Sequence, residues 1–282
     1  MLIFQSHSMD VYRNLAIEEY LMDHVTGHGP VLFLWQSACA VVLGKNQNPW
    51  CECRLDRMRA DGVPLARRIS GGGTVYHDAG NLNYCVIVDR NAYREEQAYE
   101  MVFRALSTFG ITAEKTGKSN LSVDGMKFSG NAFSFRKGRA LHHGTLLLHT
   151  NLERLNRYLG SRFGRIETRA IASEPAEVAN LELKKDPVAA ALKASFEALY
   201  GDGALFRFTG SDVKTALLDP LLEKQQSTGW QYGTTPKFTL EYAGVKVDVA
   251  KGLIVSAEGA GTTEWAGKPF AETAILWGYQ VD

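Results

Sequence analysis

The chain has few cysteines, no surplus charge and no long apolar run, and each shortage excludes something. Its four cysteines are Cys39, Cys51, Cys53 and Cys85. That number suits reduced thiols better than a disulfide framework. Cys51 and Cys53 form one CxC with no second pair, so a structural zinc site is not expected. Lys plus Arg and Asp plus Glu balance at 31 each. Without a basic excess there is no general grip on a phosphate backbone, and a nucleic-acid partner is not expected. No stretch of about 18 apolar residues occurs, so no membrane span is expected. The first residues, MLIFQSHSMDVYRNLAIEEYL, lack a basic start and carry acids early. They do not read as a secretory signal, and a cytoplasmic protein is expected. What is present is 45% hydrophobic and 22% charged residues over 282 positions. That composition buries a core and excludes a wholly disordered chain. The length suits one large domain, or one domain with a small appendage.

Residues 9–22 read as a helix, with Asp10 its cap and Leu15, Ala16 and Tyr20 inward. VLFLW (31–35) and AVVLG (40–44) read as strands. A helix from Arg54 to Asp61 stops at Gly62. The order is then strand, glycine turn, strand, turn, strand, through LARRIS, GGG (71–73), TVYH and NLNYCVIV (81–88). A helix spans Tyr93 to Phe109. Two strands meet at Asp124-Gly125, a common hairpin signal. GTLLLHT (144–150) is another strand, and helices follow near 152–159, 187–200 and 211–224. From Lys237 to Glu258 come three short strands, then an irregular tail. Strands in runs predict an α+β fold with a mainly antiparallel sheet flanked by helices. The expected division is a catalytic domain over 1–229 and a short β-rich accessory domain over 230–282.

Three adjacent glycines between apolar strands leave no side chain to pack. They let a ligand approach backbone N–H groups, which bind anions in a concave turn. Arg67 and Arg68 just before them suit a bidentate clamp on carboxylate or phosphate. The competing reading is a tight hairpin with surface arginines. Lys127 lies in a strand of small and apolar residues, where alternation permits it to face solvent. His142 and His143 are adjacent in a strand, so at most one serves a given site. Gly117-Lys118-Ser119 imitates the end of a P-loop, but position 112 is threonine and a strand follows.

RRISGGGTVYHDAGNLNY resembles the lipoate–protein ligase signature RRxSGGGxVxHDxGN. VDGMKFSGNAFSFRKGRALHHGTLLL is similar to that family's second signature, and the likeness runs over roughly residues 10–230. The resemblance implies a catalytic core related to biotin ligases and class II aminoacyl-tRNA synthetases. It implies that ATP, with Mg2+, activates lipoate to lipoyl-AMP, and that a lysine of an acceptor domain then takes the lipoyl group. The implied partners are lipoyl domains of 2-oxoacid dehydrogenase acyltransferase subunits and the glycine-cleavage carrier protein. By motif position, Lys127 is catalytic. Arg68, Gly73, Thr74, Val75, Tyr76 and Lys127 meet ATP or the adenylate, while Ser70, Gly71, Gly72, His77, Gly130 and Thr145 line the lipoate site. The family usually reads GRNDL where this chain reads GKSNL. Its aspartate is replaced by Asn120, leaving Asn120 or Asp124 as candidate metal ligands.

Three rival readings share these residues. A thioester-type octanoyl or lipoyl transferase requires an activated cysteine. In cysteine-dependent relatives it lies shortly before VDG, and residues 111–123 contain none. An amidotransferase using preformed lipoyl-AMP carries the same signatures. A non-catalytic binding module has no need of Lys127. The C-terminal region is also shorter than the accessory domain of two-domain ligases, so a small accessory protein is the alternative to self-sufficient adenylation.

Overall fold

The computed structural model describes residues 1–201, 206–208, 210–259 and 261–276. Its centre is an eight-stranded sheet, β12-β1-β2-β6-β10-β9-β8-β7. These strands are β1 (Leu2–Gln5), β2 (Val31–Trp35), β6 (Asn81–Asp89), β7 (Glu114–Thr116), β8 (Asn120–Val123), β9 (Met126–Arg136), β10 (Arg139–Leu147) and β12 (Phe206–Phe208). Only β1 pairs in parallel, with β2 and β12; every other pairing is antiparallel. The expected α+β fold is the observed one.

Helices cover both faces, which is why VLFLW is apolar throughout. Phe33 and Trp35 join the cluster under α1 (Val11–His24) and α7 (Thr215–Gln226). Leu32 and Leu34 join the opposite cluster, under α4 (Glu95–Ser107) and α6 (Lys185–Tyr200). Alternation along one strand thus feeds two cores. The Asp10 carboxylate caps α1 by accepting from the Tyr12 and Arg13 N–H groups, as read from the sequence. Asp124-Gly125 and Lys137-Gly138 have paired positive φ values of 52° and 78°, and 48° and 73°. Both make the tight turns that fix β8–β9–β10 as a meander.

A three-stranded sheet lies over the α1 face of the large one. It comprises β3 (Ala40–Leu43), β4 (Leu65–Arg67) and β5 (Val75–His77), in the order β4-β3-β5. β4 and β5 flank β3 and do not pair with each other. The glycine run is therefore a crossover between two sheet edges, which corrects the tight-hairpin reading.

The C-terminal strands β13 (Phe238–Tyr242), β14 (Val245–Ala250) and β15 (Leu253–Glu258) form a second sheet, in which β13 also pairs with β11 (Ile166–Thr168). β11 precedes residue 230, so the appendage borrows a strand from the preceding chain. Helix α9 (Phe270–Leu276) lies where an irregular tail was expected. Trp50, in the short α2 (Pro49–Glu52), packs its ring against Tyr232, Phe238 and Phe270 at 5.6, 5.1 and 4.9 Å between centroids. Few strands alone make a marginal fold, and these bury their apolar face against the rest of the chain.

Candidate functional site

A cavity of about 220 Å³ lies between the α1 face of the large sheet and the glycine crossover. Strand register builds its floor. Trp35 opposes Asn83, Asn83 opposes Thr145, the Gly130 N–H donates to Thr145 Oγ1 at 3.2 Å, and Gly130 opposes Asn120. This row crosses five strands. At about 4.8 Å per step it is ~19 Å long.

A register shift between Leu121 and Ser122 sets Lys127. The extra residue reverses alternation. Phe128 then packs with Leu121 and Val86 in the core, while Lys127 reaches into the cavity. A Cβ on Gly130 would stand 3.5 Å from Lys127 Nζ, so the absent side chain leaves room for the ammonium. Burial pushes the Lys127 pKa down and the nearby Glu174 carboxylate opposes that. This lysine therefore does not face open solvent, as simple alternation allowed.

The two arginines hold the roof. Arg68 is 5% exposed. Its Nη2 donates to the carbonyls of Gly71 and Gly73, both at 2.6 Å, and its Nε to Ser70 Oγ at 3.0 Å. Arg67 is fully buried and donates to backbone carbonyls of Gly44, Lys45, Gln47 and Gln231. The sequence suggested a two-arginine anion clamp. Instead, Arg68 shapes the loop and lines the cavity, and Arg67 braces the structure behind it. Gly72 has φ +82°, and a Cβ there would stand 3.0 Å from Arg68 Nη2 and 3.3 Å from the Ala132 Cβ. Gly72→Val should therefore push the crossover off the floor and displace the Arg68 guanidinium. The expected result is a folded protein, by circular dichroism, whose affinity for lipoate, the ligand the sequence resemblance implies, falls at least tenfold by calorimetry.

A buried polar chain closes the cavity's other end. Glu18 accepts from Trp35 Nε1 at 2.9 Å and pairs with His143 Nδ1 at 2.8 Å. His143 Nε2 meets Ser70 Oγ at 2.6 Å. Since Arg68 donates to Ser70 Oγ, the serine proton is free to go to His143 Nε2. Nδ1–H then donates to Glu18. Burial, with the Glu18 carboxylate opposing it, leaves Arg68 with a pKa pushed down to about 10, still protonated at pH 7. His77 sits against the Trp35 ring at 5.4 Å, and neither of its ring nitrogens has a hydrogen-bond partner among the described residues.

Burial, then the neighbouring Arg68 and His143, push the His77 pKa down to about 3. Burial, then His143 and Lys115, do the same for His142, also to about 3. Both stay neutral in the fold while their unfolded forms titrate near 6.5. The unfolded state thus binds more protons below pH 6.5, and stability falls as pH drops from there toward 3. At up to ~1.4 kcal/mol per pH unit each, the pair should cost about 4 kcal/mol between pH 7 and pH 5. Urea unfolding at the two pH values checks this, and His77→Gln should remove about half the pH dependence.

The segment 171–174 forms the rim. Ser173 Oγ donates to a Glu52 oxygen and accepts the Thr74 N–H at 2.9 Å. Glu174 pairs with Lys118 at 2.9 Å. From sequence, Glu18 and Glu19 read most simply as a solvated face of the first helix, whereas both are buried. Nothing in the sequence marked the rim, Trp35 or Asn83, because they converge only in the tertiary fold.

Of the residues named from sequence, Arg68, Gly72, Gly73, Thr74, Val75, His77, Lys127, Gly130 and Thr145 line the cavity, as does Asn120. Ser70 stands behind His143. Gly71 supplies a carbonyl to Arg68. Tyr76 points to the far side of its strand, against Tyr158 and Cys39. That is where alternation between cavity-facing Val75 and His77 puts it. Asp124 is exposed at its hairpin tip and does not line the cavity. Among the described residues, no three His, Cys, Asp or Glu side chains group to hold a metal.

The fold and cavity present an elongated slot that runs from a closed aromatic end toward a half-buried lysine. The family model for the lipoyl protein ligase A/B catalytic domain matches residues 10–198, and the chain belongs to that family. It is 39% identical over 251 residues to a lipoate-protein ligase A of Bdellovibrio bacteriovorus, covering 84% of this chain and 73% of that one. It is 38% identical over 254 residues to the mitochondrial lipoyl amidotransferase LIPT1 of Homo sapiens, covering 85% and 67%. P. falciparum LipL1 in complex with lipoate superposes with a TM-score of 0.72 at 26% identity, covering 90% and 82%. A lipoate-protein ligase A bound with ATP gives 0.68 at 26%, covering 82% and 97%. A bi-partite ligase of Thermoplasma acidophilum, from a study of that ligase and its E2 lipoyl domain, gives 0.68 at 25%, covering 82% and 94%.

Proposed function

We propose that this chain is an ATP-dependent lipoate–protein ligase. The observation that carries the proposal is Lys127, turned by a β-bulge over Gly130 at the open end of an acyl-sized slot. A carboxylate oxygen of lipoate attacks the α-phosphorus of ATP, the bond to the β-phosphate bridging oxygen breaks, and pyrophosphate leaves. The acceptor lysine amine then attacks the acyl carbonyl, AMP departs with the C–O bond electrons, and the amine loses a proton. Lys127 lowers the repulsion between the two reacting anions and steadies the charge that develops on phosphate and carbonyl oxygens. The crossover fixed by Arg68 holds the acyl chain away from water. Lipoyl domains are the proposed acceptors.

The donor set does not match a protein-held magnesium site. Asn120 supplies an amide, Asp124 is remote, and Glu174 is the rim carboxylate, already paired with Lys118. Mg2+ is proposed only as the ion that accompanies ATP. The thioester route is disfavoured because none of the four cysteines lines the cavity. Burial pushes Cys85 and Cys53 up strongly, and Cys51 to about 11. These are poor thiolates.

The likeness to a lipoyl amidotransferase favours one alternative, transfer from preformed lipoyl-AMP without activation. We favour self-sufficient adenylation, with residues 230–282 as the accessory unit. The purified chain with ATP, magnesium, lipoate and a lipoyl domain should release pyrophosphate and raise the acceptor's intact mass by one lipoyl group. No pyrophosphate, but transfer from synthetic lipoyl-AMP, would establish the amidotransferase instead.

A further inference from the structure

The closed end of the cavity contains an unpaired polar group. Glu18 is satisfied by Trp35 and His143, His143 by Glu18 and Ser70, and Asn83 by Asn81 and the Trp35 carbonyl. His77 lines the same end at 3% exposure, with both ring nitrogens unpartnered among the described residues. A buried imidazole without a hydrogen bond is costly, so the site is built for a ligand atom that supplies one. Its distance from Lys127 says which part of the ligand that is. The floor runs from Trp35 through Asn83 and Thr145 to Gly130, three strand spacings or ~14 Å. An acid whose carboxylate meets Lys127 therefore presents its tail, not its carboxylate, to His77.

We infer that His77, with the Trp35 ring, selects acids whose far end is a cyclic disulfide over saturated acids of the same length. This rests on the reading of the cavity as an acyl slot ending at Lys127. A dithiolane sulfur accepts an N–H hydrogen bond and is polarisable against an aromatic ring. A terminal methyl does neither and strands the imidazole. The selection needs no ionisation of His77, whose N–H is present in the neutral ring.

The test is calorimetric binding of lipoate, octanoate and 5-cyclopentylpentanoate, which keeps the ring but replaces sulfur by carbon. Wild-type protein should bind lipoate at least tenfold more tightly than either sulfur-free acid. His77→Leu should lose at least fivefold in lipoate affinity and leave octanoate within twofold, and His77→Gln should restore part of the preference. Equal binding of lipoate and the cyclopentyl acid by the wild type would overturn the inference without any variant having to fold. A His77→Leu loss equal for all three acids would overturn it too. If no acid binds the wild type, this inference and the acyl-slot reading both fall.

Discussion

Lys127→Ala should lower lipoate-dependent pyrophosphate release by ~10²–10³, equivalent to about 3–4 kcal/mol of lost transition-state stabilisation. The reason is geometric. Two anions must approach within bonding distance, and Lys127 is the cation that the β-bulge brings over the cavity floor beside Gly130. Stability should change little, because the strand keeps its ladder and Phe128 keeps its place in the core. Lys127→Arg should not rescue the rate. A planar guanidinium is broader than an ammonium, and the space above Gly130 fits the smaller head. Stopped assays of pyrophosphate with saturating ATP and lipoate, beside urea unfolding of each variant, separate the two quantities. Release by Lys127→Ala within threefold of wild type would remove the lysine from the reaction.

Much of the fold was legible because periodicity and turn chemistry agreed. Asp124-Gly125 marks a hairpin that exists, and the three short strands expected over 237–258 are joined by Ala243-Gly244 and Lys251-Gly252 turns with the same pairing of positive φ values. The strands missed were β1, β7, β11 and β12, all three or four residues long. At that length alternation has no room to show itself, and partner strands supply the order. Lys127 illustrates a different limit. Its residue type and motif position were readable, but its direction depended on one extra residue in β9, which no local pattern reveals. The arginines show the same limit reversed. RR beside GGG reads as an anion clamp, yet the crossover needs so many carbonyls held that both guanidiniums serve backbone.

Arg67 therefore gives the other large effect, and it falls on the fold. All its donors are used. Nε and Nη2 reach the Gln231 carbonyl at 3.0 and 2.7 Å, and Nη2 also reaches Thr235 Oγ1 at 3.1 Å. Nη1 serves Gly44, Lys45 and Gln47 at 3.1, 3.1 and 2.8 Å. No carboxylate is among these partners, and burial pushes the guanidinium down to about 10, so backbone dipoles and one hydroxyl hold the charge. Two distant stretches, 44–47 and 231–235, are thus tied through one side chain. Arg67→Met fills similar volume but leaves several buried acceptors unsatisfied, at ~1–3 kcal/mol each. The expected loss is on the order of 3 kcal/mol or more, read as a lower urea midpoint. Arg67→Lys should recover only part, since three donors on one nitrogen cannot span both stretches. Limited proteolysis should cut Arg67→Met near 231–237 earlier than wild type, because the tie to the C-terminal strands is lost. An unchanged urea midpoint would mean that these carbonyls find other donors and that Arg67 is not the brace. Loss of activity in Arg67→Met without loss of stability would return Arg67 to the anion-binding role its sequence neighbours suggest.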